Sequence, residues 1–149
     1  TLFPYTTLFR SDKKFEVENK GGFYIPKTEY NAFTNTVKYI KNNTNKDDTV
    51  LVLPEGAMIN FLTDRKSNNK FYYLIPSNVE VFGNDYIISE LKDKMPEYIL
   101  LQPMLYQSFN QTSFCESYGK QICENILKYY ETPVVFGDNF WLAIYKRKL

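Results

Sequence analysis

The sequence predicts an α/β domain: a mixed, mainly parallel sheet flanked by helices, with an antiparallel β-hairpin at the C-terminus. Three observations predict it. Strand-type runs alternate along the chain with stretches whose apolar residues recur every three or four positions. Two of the runs, TVLVLP (49–54) and EYILLQ (97–102), are continuously apolar in their middles, as in strands covered on both faces. Near the end, Gly137-Asp138-Asn139 joins two strand-like runs in the manner of a hairpin. The expected order is βαβαβαβαββ, with right-handed crossovers between parallel neighbours.

Residues 1–11, TLFPYTTLFRS, are set aside. They carry no acidic residue, they repeat the cluster TLF, and Pro4 and Arg10 stand where a signal peptide needs its apolar run. The segment resembles, without a mismatch, the conceptual translation of a common short-read sequencing adapter. The expectation is therefore a non-native leader that contributes nothing to the fold, joined to a domain truncated from a longer protein. The 138 residues from Asp12 to Leu149 suit one domain, and a chain of that size buries about two thirds of its unfolded surface.

The elements follow in order. FEVE (15–18) alternates apolar and acidic residues, Gly21-Gly22 breaks the chain, and FYIP (23–26) continues it in extended form. From Thr28, the positions Tyr30, Phe33, Val37 and Ile40 mark a helix, with Thr28 able to cap it, Glu29 in its first turn and Asn42-Asn43 at its end. TVLVLP is expected at the sheet centre. EGAMINFLTDR (55–65) reads as a short helix leaving that strand's carboxyl end, and FYYLIP (71–76) as the next strand. Ser77 and Glu80 have capping-box spacing, but Gly83-Asn84 moves the start of the main helix to Asp85, with Ile87, Ile88, Leu91 and Met95 on one face and Pro96 after it. After EYILLQ comes a polar loop from Pro103 to about Cys115. A last helix carrying Ile122, Cys123, Ile126, Leu127 and Tyr130 precedes the hairpin.

Composition excludes several classes of chemistry. The chain has no histidine, so it cannot supply a Ser-His-Asp or Cys-His pair, a histidine metal ligand or a histidine proton shuttle. Neither GxGxxG nor GxxxxGK[ST] occurs, which leaves nucleotide binding unsupported. Without Arg10, 17 basic residues balance 17 acidic ones, and no electrostatic footprint for nucleic acid or an anionic membrane remains. Lys146, Arg147 and Lys148 read as a solubilising tail. No window approaches the roughly 18 consecutive apolar residues of a membrane span, so the fragment is expected to be soluble. The two cysteines, Cys115 and Cys123, are too few for a zinc site. On one helix they would stand about 12 Å apart, beyond the roughly 7 Å a disulfide tolerates. They are expected to be unpaired unless Cys115 sits in the loop before the helix.

Candidate chemistry gathers after the first buried strand. Pro54-Glu55-Gly56 lies at a strand's carboxyl end, where open α/β sheets collect ligands, and Asn60, Asp64 and Arg65 follow. Glu55, Asn60 and Arg65 are the candidate contacts for substrate or partner. The same glutamate in the first turn of a helix would be favoured by the dipole alone. Most aromatics fall at core spacing, with Tyr72, Tyr73, Tyr106 and Tyr118 the expected exceptions.

The segments VKYIKNNTNKDDTVLVLPEGAMINFLTDRKSNNKFYYLIP (37–76), DYIISELKDKMPEYILLQ (85–102), SYGK (117–120) and PVVFGDNFWLAIYKR (133–147) together resemble the C-terminal soluble domain of bacterial membrane glycosyltransferases of the GT-C class. The likeness is nearest to the dolichyl-phosphate-mannose protein mannosyltransferases and spans most of residues 22–149. It implies a multi-spanning parent that transfers a sugar from a polyprenyl-phosphate donor outside the cytoplasm to a glycan, lipid or protein acceptor. Such enzymes take their catalytic carboxylate from a loop after the first membrane span, so no catalytic residue, metal or other cofactor is carried over to this chain. Pro54, Glu55, Gly56 and Arg65 match the recurring motif of the domain. The resemblance thus implies an extracytoplasmic accessory domain, inactive alone, whose first partner is its own transmembrane region. A freestanding α/β ligand-binding module is the alternative.

Overall fold

The computed structural model describes residues 12–17, 19–104, 106, 109–111 and 113–149. The adapter-like segment, 1–11, lies outside the described residues. The chain forms a mixed α/β structure with a four-stranded mixed sheet and a separate two-stranded hairpin.

The hairpin comes first. β1 (Asp12–Val17) pairs antiparallel with β2 (Gly21–Pro26), and Asn19 (φ 62°) and Gly21 (φ 79°) turn the chain between them. Alternation sends Phe15 and Val17 to the face covered by α1 (Lys27–Asn43), where they join Ile25, Val37 and Leu62. α1 begins one residue before Thr28, with Pro26 as its N-cap and no side-chain capping bond. Thr28 therefore falls inside the first turn, past the N-cap position, and its hydroxyl does not cap the helix.

β3 (Val50–Leu53) and β4 (Tyr98–Leu101) are parallel, and β4 and β5 (Val134–Phe136) flank β6 (Leu142–Lys146) antiparallel to it, giving the order β3-β4-β6-β5. The predicted hairpin is β5–β6. The sheet is not mainly parallel: among the described residues it has one parallel pairing and two antiparallel ones. The missing parallel partner is FYYLIP. Among the described residues its backbone pairs with the segment after β3 through the Glu55–Tyr73 bridge and the Leu74 N–H to Pro54 carbonyl bond (2.8 Å), and Pro76 then opens α3 (Pro76–Phe82). Ser77 therefore lies inside α3, which has no side-chain cap.

β3 consequently lies at the edge of the sheet, not its centre. Its edge is nevertheless covered: the Val50 amide donates to the Lys66 carbonyl (2.9 Å), and Asn60 Nδ2 donates to the Val50 carbonyl (2.8 Å). This lets a fully apolar strand occupy an edge without exposing its polar backbone. Val50 and Val52 face α1, packing with Ala32, Ile40, Leu100, Leu142 and Ile144. Leu51 and Leu53 face the other side, against Leu74, α4 (Asn84–Asp93) with Ile87 and Leu91, and α5 (Lys120–Ile126) with Ile122 and Ile126. α2 (Ala57–Thr63) closes the β3 edge. A 3-10 turn, Leu127–Tyr129, ends α5 before Leu127 and Tyr130 of the predicted helix.

The cysteines are not free. Cys115 and Cys123 form a disulfide with their Cα atoms 5.5 Å apart. Cys115 sits in the turn before α5 with φ 75°, and its amide donates to the Tyr118 carbonyl (2.8 Å), folding the chain back over the helix. The expectation of unpaired thiols assumed a common helix; the loop position shortens the span into disulfide range.

Candidate functional site

The corner after β3 is built by glycine. A Cβ at Gly56 would stand 1.9 Å from the Cβ of Val52, so only glycine lets the chain turn back against its own strand and enter α2. Gly56 is the N-cap of α2, which puts Glu55 outside the first helical turn. Its position comes instead from cross-chain bonds: the bridge to Tyr73, and a hydrogen bond from Gln102 Nε2 to its carbonyl. Gln102 itself follows β4, and its amide donates to the Leu53 carbonyl (3.0 Å). Glu55 and Gln102 thus mark the carboxyl ends of the two parallel strands, the location expected for ligands of such sheets.

The Glu55 carboxylate accepts a 2.6 Å hydrogen bond from the Tyr106 hydroxyl, whose ring meets that of Tyr118 edge-on at 5.9 Å. Burial, reinforced by the bond to Glu55, pushes the Tyr106 phenol far above its ordinary range, and burial does the same to Tyr118. Tyr106 is accordingly a permanent hydrogen-bond donor at physiological pH. Tyr118 is buried, contrary to the expectation of an exposed ring, and its hydroxyl has no hydrogen-bond partner among the described residues. Tyr72 and Tyr73 are exposed, on a groove where Lys70 Nζ lies 4.6 Å from the Tyr86 ring.

The structure does not bring the three sequence candidates together. Glu55 borders a cleft of about 310 Å³ with Phe33, Met58, Tyr73 and Gln102. Asn60 and Arg65 lie toward the opposite, amino-terminal end of β3. Asn60 Nδ2 bonds the carbonyls of Val50 and Arg65 (2.8 and 3.1 Å). Arg65 is buried, and its guanidinium donates to the Thr44 carbonyl (2.8 Å), Thr44 Oγ1 (2.6 Å) and the Thr63 carbonyl (2.8 Å), closing the C-terminus of α1. These donors serve the fold. Among the described residues no group of three or more acidic or cysteine side chains is placed to hold a metal.

A larger cleft, about 950 Å³, opens on the same rim. Because β6 runs antiparallel to β4, with Leu101 opposite Ala143, the β5–β6 loop arrives beside the carboxyl ends of β3 and β4. Asp138, Asn139 and Trp141 line one wall, and Thr28, Glu29 and Asn31 of α1 the other. Pro103, Met104 and the turn bearing Ser113 and Glu116 complete it. Gly137 (φ 92°) seats the loop on Ala32, since a Cβ there would fall 2.8 Å from that of Ala32. Burial, with the charge of Asp12, raises the Glu29 carboxyl above its ordinary value. Sequence reasoning missed this wall. Its signal was the polar, aromatic-flanked GDNFW loop, which strand order brings to the rim of this cleft.

No family model matches the chain, and neither a curated protein nor a solved structure matches it.

Proposed function

We propose that this chain is the extracytoplasmic accessory domain of a polyprenyl-phosphate-sugar-dependent membrane glycosyltransferase, with the transfer chemistry carried by a membrane region outside it. The observation that carries the reading is the Cys115–Cys123 disulfide, because such bonds persist in oxidising compartments and are rare in the cytosol. It agrees with the side of the membrane on which the resembling enzymes work. The motif residues also have clear physical roles: Gly56 makes the corner that presents Glu55, and Arg65 closes α1. No helix among the described residues is long and apolar enough to cross a membrane, so anchoring would come from the parent.

The native DNA upstream of the Asp12 codon tests this directly. The expected reading frame encodes several apolar spans of about 20 residues each, and a continuous native frame without them overturns the proposal. The tethered protein, but not the isolated chain, should then transfer sugar from a polyprenyl-phosphate donor; transfer by the isolated chain would also overturn it.

The Glu55–Tyr106 hydrogen bond favours the second reading, a freestanding ligand-binding module, because it fixes a carboxylate beside a cleft at the carboxyl ends of the parallel strands. A rise in melting temperature with a small polar ligand, abolished by Glu55→Ala, would support that module; no rise across sugars and nucleotides would count against it.

A further inference from the structure

The cleft walled by Trp141 has a chemistry of its own. It holds three carboxylates, Glu29, Glu116 and Asp138, and no lysine or arginine among the described residues that line it. Phosphates, sulfates and uronates would meet repulsion without a compensating cation. Asn31 and Asn139 add planar amides that both donate and accept, and Thr28 and Ser113 add hydroxyls that do the same. A purely cationic ligand would leave those acceptor-seeking donors unused, whereas vicinal hydroxyls satisfy donors and acceptors alike. Trp141 is half-buried: it packs against the core on one side and borders the cleft, so it supplies a large aromatic surface to the lining. At about 950 Å³ the cleft is at the upper end of the range for small-ligand sites.

We infer that this cleft binds a short neutral oligosaccharide, one ring stacked on Trp141 and its hydroxyls held by Asp138, Asn139 and Glu116. The inference rests on the chain's own cleft and stands whether or not a membrane region accompanies it. Failure of sugar binding would leave the upstream reading frame unchanged, and the reverse holds too.

Trp141 is the chain's single tryptophan, so its fluorescence reports this cleft alone. The full chain is titrated to about 10 mM with neutral trisaccharides of glucose, of mannose and of N-acetylglucosamine, with a uronate trimer and spermidine as charged arms. A saturable change with at least one neutral sugar and none with the uronate is expected. Asp138→Asn, Asn139→Ala and Glu116→Gln, on two separate exposed segments, should each weaken binding by about tenfold at unchanged melting temperature. No saturable response to any neutral sugar, binding of spermidine alone, or full binding by all three variants would each overturn the inference.

Discussion

Arg65 shows what a single buried cation does here. Its guanidinium meets no carboxylate among the described residues and is satisfied by the carbonyl and hydroxyl of Thr44, just past α1, and by the carbonyl of Thr63 at the end of α2, tying together two helix ends whose last carbonyls lack intrahelical partners. Arg65→Ala should cost about 2–4 kcal/mol, read as a lowered urea midpoint with unchanged slope, and Arg65→Lys should recover little because a lysine lacks the planar fork. Glu97 makes the opposite case. Burial works against its charge, but bonds from the Thr49 amide (2.8 Å) and hydroxyl, with Arg147 at 3.7 Å, outweigh it and hold the carboxyl below its ordinary value. A carboxyl depressed in the folded state stabilises fully above the unfolded value, about pH 4.3, and loses that contribution as pH falls through the folded value. Glu97→Gln should therefore be less stable than the parent at neutral pH, with the gap closing in acid below about pH 4. A gap that stays constant down to about pH 2 would refute the assignment.

The loop before α5 and the corner before α2 depend on one covalent and one steric constraint. Cys115–Cys123 closes a short loop, and its loss through Cys115→Ser should cost about 2–3 kcal/mol on the loop-entropy account, with Ser113 and Glu116 losing their fixed place beside the large cleft. Thermal unfolding with and without reductant checks this, since equal melting temperatures would mean the bond contributes nothing. At the corner, Gly56→Ala would drive a methyl into Val52, and no flexible side-chain end is there to yield. The expected cost is about 3 kcal/mol; a well-folded variant of full stability would show that α2 can slide along β3. Glu55 and Tyr73 would then lose their bridge, so the small cleft should change with the stability.

In the whole molecule, the four-stranded sheet is the shared wall of two cores. Val50, Val52 and Leu100 bury toward α1, and Leu51, Leu53 and Leu101 toward α4 and α5. β4 lies inside the sheet, whereas among the described residues the β1–β2 hairpin pairs only with itself and packs through the small cluster around Phe15. Amide hydrogen exchange should protect Ile99 and Leu100 longest and release β1 and β2 first, through local opening; equal protection would mean one cooperative unit. Local pattern was enough to reveal α1, α4, β3, β4 and the β5–β6 hairpin, because periodicity and uninterrupted apolar runs belong to neighbouring residues. FYYLIP misled for the same reason: its composition is that of a strand, but pairing is decided by what lies alongside, and among the described residues its backbone pairs with Glu55 and Pro54, after β3. The carboxyl-end position of Glu55 was legible from the strand it follows. Its bond to Tyr106, 51 residues away, and the separation of Asn60 and Arg65 from it were not, since both depend on how the chain returns. The sequence alone determined the α/β class, the buried strands and the absence of histidine chemistry. Tertiary structure alone decided the strand order, the disulfide and the gathering of Trp141 with Glu29 and Asp138, because these rest on contacts between segments whose relative placement no local pattern encodes.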